Sequence, residues 1–219
     1  MIDAAARAKL ETVLELLAQE RASVSSVVDQ RAWQVHVADS LTGLEVAELR
    51  EARRVADVGA GAGFPGLVLA VALPAAQVDL VESIGRKCEF MRRAAESAAI
   101  ANVRVLNTRS EDLAAGEGRE VYDAVSARAV GRLSTLAELA SPLLKPKGVL
   151  VAWKGRRDGD EERQLENAAE ALAMRPEAIL DVGDRAGSEH RHLHVVRKSG
   201  PTPGNLPRKP GIAKKRPRG

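Results

Sequence analysis

The chain has 219 residues, with 33 Lys+Arg against 30 Asp+Glu, a net charge of +3 and a pI near 9.2, which bounds it to one or two compact domains. Its 45% hydrophobic and 29% charged content excludes wholesale disorder, and no apolar run approaches the roughly 20 residues of a bilayer span. A single cysteine, Cys88, excludes an internal disulfide and a multi-cysteine zinc site, and 2% aromatics leave little ring surface for base stacking.

Residues 2 to 20 repeat apolar positions at spacings of three and four (Ala6, Leu10, Val13, Leu14, Leu17), which predicts an amphipathic helix. Its Glu11, Glu15 and Glu20 do not resemble a signal peptide, so the expected location is cytoplasmic. A second helical stretch is expected from about Gln30 to Leu49, with an interruption near Ser40 to Gly43. From Arg54 the pattern changes to short β-branched runs alternating with Ala/Leu-rich stretches. VADVG (55–59) precedes a helix over 65–73, QVDLVE (77–82) one over 84–99, and VRVL (103–106) follows. YDAVSA (122–127) precedes a helix over 132–144, and GVLVAW (148–153) one over 160–173. This alternation predicts a doubly wound, mostly parallel α/β sheet. AILDVG (178–183) and RHLHVVRK (191–198) lack a crossover helix between them and read as an antiparallel hairpin that completes seven strands.

The expected organisation is a helical extension over 1–52, the sheet domain over 53–198 and a Pro/Gly-rich tail over 199–219. The last 23 residues hold eight basic residues and no acid, and the rest holds 25 basic against 30 acidic residues, a body of −5. The Pro and Gly content of that end argues against a packed helix or a central strand. A basic tail suits a polyanion or serves as a loose, solvated terminus. On the first reading, deleting residues 200–219 is expected to weaken RNA binding with a shallower salt dependence while leaving affinity for a small ligand in the sheet domain nearly unchanged.

VADVGAGAGFPG ends a strand and opens a helix. Gly59, Gly61 and Gly63 let the backbone turn sharply and approach a ligand, and Gly61, Gly63 and Gly66 satisfy G-x-G-x-x-G, which admits a nicotinamide or flavin dinucleotide. Asp57 favours S-adenosylmethionine instead, since an acid two residues before the first glycine can face the cationic amino-acid end of that cofactor. The closing hairpin is also typical of methyltransferases. Further landmarks fall where open α/β sheets bind ligands, at the carboxyl ends of strands. Glu82 is placed to accept from ribose hydroxyls, Ser110 and Glu111 to read an adenine edge, and Arg128 to lie near the reacting methyl.

Several motifs run in order along the chain: HVADSL (36–41), DVGAGAGFPG (57–66), ES-x-GRK (82–87), RSEDL (109–113), SARAV (126–130), WKG (153–155) and PRKPGIAKK (207–215). On these residues the chain resembles the glucose-inhibited division protein B family, bacterial small-subunit (16S) rRNA guanine-N7 methyltransferases. One departure is visible: members usually carry an Asn-Leu-Thr element ahead of the His/Asp-Ser-Leu motif, where this chain reads SVSSVVDQ (23–30). The resemblance implies an S-adenosyl-L-methionine-dependent enzyme of the Rossmann-like class I fold. It also implies cofactor contacts from Gly59, Phe64, Ser110, Glu111 and Arg128, and methyl transfer to N7 of one guanine in 16S rRNA or in a 30S particle.

Guanine N7 presents an in-plane lone pair at neutral pH, so attack on a sulfonium methyl needs no general base, and no catalytic acid/base residue is assigned. His36, Asp39 and Ser40 lie at i, i+3 and i+4 and are expected either to shape a substrate pocket or to serve as packed and capping residues. His190, His192 and His194 share one strand face without the convergence a metal site needs, and no metal is expected. Cys88 reads as a small core residue. RNA contacts are expected from Arg86, Lys87, Lys154, Arg156, Arg208, Lys209, Lys214 and Lys215, which position phosphates without specifying a base. The chain is read as a monomer without a membrane partner. A small-molecule methyltransferase, an oxidoreductase on the same sheet and a non-catalytic RNA-binding protein are the competing readings.

Overall fold

The computed structural model describes residues 2–20, 25, 27–183 and 190–219. Helix α1 (Ala4–Gln19) opens on Asp3, whose carboxylate accepts the Ala6 N–H at 2.7 Å and so satisfies a donor that the first turn leaves unpaired. Its stripe of Leu10, Val13 and Leu17 is buried, and α1 packs on α4 (Gly66–Ala72) and α5 (Gly85–Ser97). The expected second helix is segmented. A π-helical turn (Trp33–Ala38) runs into α2 (Asp39–Leu41) and a 3₁₀ turn (Thr42–Glu45), and extended Val46 separates these from α3 (Ala47–Arg50). Of the SVSSVVDQ stretch, Ser23, Val24 and Ser26 lie outside the described residues.

The seven strands are β1 (Arg54–Val58), β2 (Gln77–Glu82), β3 (Val103–Asn107), β4 (Tyr122–Arg128), β5 (Leu144–Lys154), β6 (Met174–Asp181) and β7 (His192–Lys198). They form one sheet in the order β3-β2-β1-β4-β5-β7-β6. The first five pair in parallel, and β7 inserts antiparallel between β5 and β6. The order reverses between β1 and β4, which opens a crevice at their carboxyl ends.

Because successive strand residues face opposite sides, the sheet buries two cores. Val55, Val78, Leu80, Val149 and Val151 pack with α1, α4 and α5 residues such as Leu17, Leu67 and Phe90. Ala56, Val125 and Leu150 pack on the other face, with α6 (Ser110–Ala115), α7 (Leu133–Ala140) and α8 (Gly159–Ala169). Since Leu10, Val13 and Leu17 belong to the first core, the N-terminal segment is a layer of the domain rather than an appendage.

The C-terminal segment departs from the expected loose tail. Leu206 and Ala213 are buried, and a one-turn helix, Ile212–Lys215, packs on α7. Isolated apolar residues and specific ion pairs compensate for the lack of regular structure. Arg208 forms a two-pronged ion pair with Glu138, whose side chain is 3% exposed, and Thr202 N–H donates to Glu120 at 2.7 Å. Among the described residues, no helix is long and apolar enough to cross a membrane.

Candidate functional site

The β1–α4 loop takes its shape from its glycines. Gly59, Gly61 and Gly63 have φ of 68°, 61° and 93°, a left-handed region that L side chains pay to enter. Gly66 answers a different need. A Cβ there would lie 2.1 Å from Leu80 Cδ2 and 2.9 Å from Asp57 Cβ, so its missing side chain is what lets α4 start against β1 and β2.

Asp57 is fully buried. One carboxylate oxygen accepts the Ser126 hydroxyl at 2.9 Å and the other the Gly66 N–H at 2.9 Å. Burial pushes its pKa up to about 6, against the lowering effect of those two bonds. In the structure this acid joins the start of α4 to β1 and β4.

Glu82, at the end of β2, accepts Gly61 N–H at 3.1 Å on one oxygen and Ile84 N–H at 2.9 Å on the other. Each oxygen keeps a further lone pair for an incoming hydroxyl. The carboxylate lines a cavity of about 380 Å³ together with Val58, Gly59, Ser83, Ser110 and Glu111. The ends of β1, β2 and β3 thus meet at the crevice that the sheet order creates.

Several lining positions were not anticipated as cofactor contacts. Arg109 precedes the expected pair in RSEDL, and Val130 stands so close that a Cβ on Gly59 would come within 2.6 Å of it. Thr135 and Leu139 of α7 also line the cavity, and their i, i+4 spacing on a helix is the signal that marks a shared face. Gly211, Ala213, Lys214 and Lys215 of the C-terminal segment complete the wall. Gly61 and Gly63 shape the loop without lining the cavity.

Phe64 and Arg128 belong to a neighbouring cluster. Phe64 stacks on His36 with ring centroids 4.5 Å apart and planes inclined by 15°. Arg128 donates to Val35 O and Asp39 Oδ2, both at 2.8 Å, and approaches His36 Nδ1 at 3.3 Å. Arg191 Nε lies 2.7 Å from the other Asp39 oxygen. His36 is buried, which lowers its pKa below the usual imidazole value and keeps it neutral at pH 7. Its Nε2 lies 2.9 Å from Val27 O and donates there, leaving the Nδ1 lone pair for Arg128.

Ser40 is fully buried and donates to His36 O one turn back, so of the three candidate pocket residues it is purely structural in these contacts. Trp153 Nε1 donates to Asp39 O at 2.9 Å, which seats the N-terminal turns on β5. Arg128, Trp153, Lys154 and Arg191 line a second cavity of about 280 Å³.

The expected RNA-contacting residues divide into two groups. Arg86, Arg156, Lys209, Lys214 and Lys215 are exposed, and Lys87 is half-buried on the first turn of α5. Arg156 lies 3.0 Å from His190 Nε2. Lys154 and Arg208 are committed internally. Lys154 Nζ donates to Glu161 at 2.7 Å and to Gly131 O at 3.1 Å, and Arg208 is held by Glu138. Both acids are nearly buried and need a cation, which a count of basic residues does not reveal. Cys88 is buried and directs its Sγ to Glu82 O at 3.3 Å.

The sheet order, the glycine loop and the strand-end cavity define the class I methyltransferase architecture. Solved structures share it: a SAM-dependent methyltransferase from Aquifex aeolicus superposes with a TM-score of 0.58 at 18% identity, covering 78% of this chain and 94% of its own. A predicted O-methyltransferase from Agrobacterium tumefaciens gives 0.57 at 26%, covering 75% and 80%. Within that class, the family model GidB, described as rRNA small subunit methyltransferase G, matches residues 8–193, and the chain belongs to this family. A ribosomal RNA small subunit methyltransferase G of Rubrobacter xylanophilus is 45% identical over 186 residues, 83% of this chain and 71% of the relative. That of Syntrophomonas wolfei is 34% identical over 95% of this chain and 98% of its own.

Proposed function

We propose that the chain transfers a methyl group from S-adenosylmethionine to N7 of a guanine in small-subunit rRNA, in the cytoplasm. The observation that supports this most directly is the cavity in which Gly59, Glu82, Ser110 and Glu111 meet, because it offers each chemical feature an adenosyl cofactor needs. The bare backbone at Gly59 admits close approach. Glu82 holds two acceptor oxygens at fixed positions for vicinal ribose hydroxyls, and the polar groups of Ser110 and Glu111 flank a mostly apolar wall suited to a purine. When bound, S-adenosylmethionine supplies an electrophilic methyl on a positively charged sulfur.

The remaining work falls to the chain and is positional. N7 carries its own lone pair, so no residue has to remove a proton before attack, and alignment and exclusion of water supply the acceleration. The methylated purine gains positive charge, which an uncompensated cation over the base would oppose. Arg128 meets that condition, since its guanidinium is paired with Asp39 and donates to Val35 O.

Mapping N7-methylguanine in small-subunit rRNA by borohydride and aniline cleavage with primer extension tests the reading. A strain lacking the gene is expected to lose one stop, which returns on complementation. An unchanged pattern refutes the assignment.

A further inference from the structure

The C-terminal segment contributes four residues to the wall of the cavity that holds Glu82, Ser110 and Glu111, and it is fastened at both ends of that wall. Gly211 N–H donates to Glu111 Oε1 at 2.7 Å, while the other Glu111 oxygen accepts the Ser110 hydroxyl at 3.2 Å. The segment thereby fixes the orientation of a carboxylate that faces the cavity. Gly211 itself has φ of 81°, a left-handed backbone setting that favours glycine.

On the α7 side, Thr135 Oγ1 donates to Ala213 O at 3.3 Å, and the Arg208–Glu138 pair anchors the chain just before the wall begins. Arg208 also donates to Arg216 O at 2.8 Å, which closes residues 208–216 into a loop. Ala213 is 2% exposed. Lys214 and Lys215 line the cavity while remaining exposed overall.

Resting on the cofactor reading given above, we propose that residues 208–216 are a cofactor-binding element that closes the Ser110–Glu111 side of the pocket. Cofactor affinity then depends on the seating of this segment. By thermodynamic reciprocity, a bound cofactor holds the segment in place to the same extent. Lys214 and Lys215 stand both on the cofactor wall and at the solvent boundary where RNA arrives, so the two ligands meet through a single stretch of chain.

The test is calorimetric titration with S-adenosylhomocysteine of the full chain, of Arg208→Ala, and of the charge-swapped pair Arg208→Glu with Glu138→Arg. Arg208→Ala is expected to bind at least fivefold more weakly, with the swapped pair recovering affinity. Thermal melts without ligand identify any variant that has lost its fold. A second measurement uses the unmodified protein: S-adenosylhomocysteine is expected to slow tryptic cleavage between residues 208 and 216 at least fivefold.

Binding of Arg208→Ala within twofold of the full chain, or tighter binding, overturns the proposal and leaves the cofactor reading intact. Cleavage that proceeds equally fast with and without the ligand also overturns it. Failure of the full chain to bind S-adenosylhomocysteine overturns the cofactor reading and this proposal together.

Discussion

Asp57 shows how burial sets the ionisation of a residue singled out from the sequence. Its folded-state pKa of about 6 stands above the ordinary carboxylate value of 3.8. Between those values the folded chain retains a proton that the unfolded chain has released. The stabilisation that this proton carries is complete below pH 3.8 and is lost as pH rises through 6. Asp57→Asn removes the ionisation while keeping an acceptor for Gly66 N–H and a donor for Ser126. Its unfolding free energy, from urea titrations at pH 5 and pH 7.5, is therefore expected to fall less with rising pH than that of the parent. His36 acts with the opposite sign, but it is common to both proteins and cancels in the comparison. Equal changes in the two proteins contradict the burial argument. Gly66→Ala places a methyl group 2.1 Å from Leu80 Cδ2, and the overpacking is expected to cost about 1–3 kcal/mol in the same titration.

At the scale of elements, most strands and helices were legible because their apolar periods are long enough to register. QVDLVE is β2 residue for residue, and β7 differs from its expected span by one residue. The failures have a common physical origin in short or punctuated segments. α6 has six residues, of which Ser110, Leu113 and Ala114 are buried, too few to show a helical period. β5 begins at Leu144 and passes through Lys145, Pro146, Lys147 and Gly148, residues that read as a turn. The N-terminal turns depend on a tertiary ion pair that no local pattern announces. Asp39 is 2% exposed at its side chain and faces both Arg128 and Arg191. Asp39→Ala strands two guanidinium groups without their anion and is expected to cost roughly 3–5 kcal/mol. Ser40→Ala, which loses one bond to a local carbonyl, is expected to cost about 1 kcal/mol. Similar urea midpoints for the two variants would show that the Asp39 cluster does not hold these turns.

For the whole molecule, the structure redistributes the charge that the sequence assigned to the terminus. Of the eight basic residues in the last 23, Arg197 pairs with Glu48 and Glu177, Lys198 lies near Glu120, and Arg208 and Arg218 face Glu138. Lys209, Lys214, Lys215 and Arg216 have no ion pair among the described residues. A terminus of eight available cations, two of them in β7, becomes a packed segment with four. Each cation that neutralises a phosphate of single-stranded RNA contributes about 0.7 to the slope of log K against log salt. Replacing Lys209, Lys214 and Lys215 with Gln is therefore expected to lower the magnitude of that slope by about 2 in filter-binding titrations with a small-subunit rRNA fragment. Lys154→Gln serves as the control, because its ammonium is already neutralised by Glu161 at 2.7 Å, and its slope should match the parent. A triple variant with an unchanged slope removes the segment from the RNA interface, and a reduced slope in Lys154→Gln shows that the Glu161 pair opens to receive a phosphate.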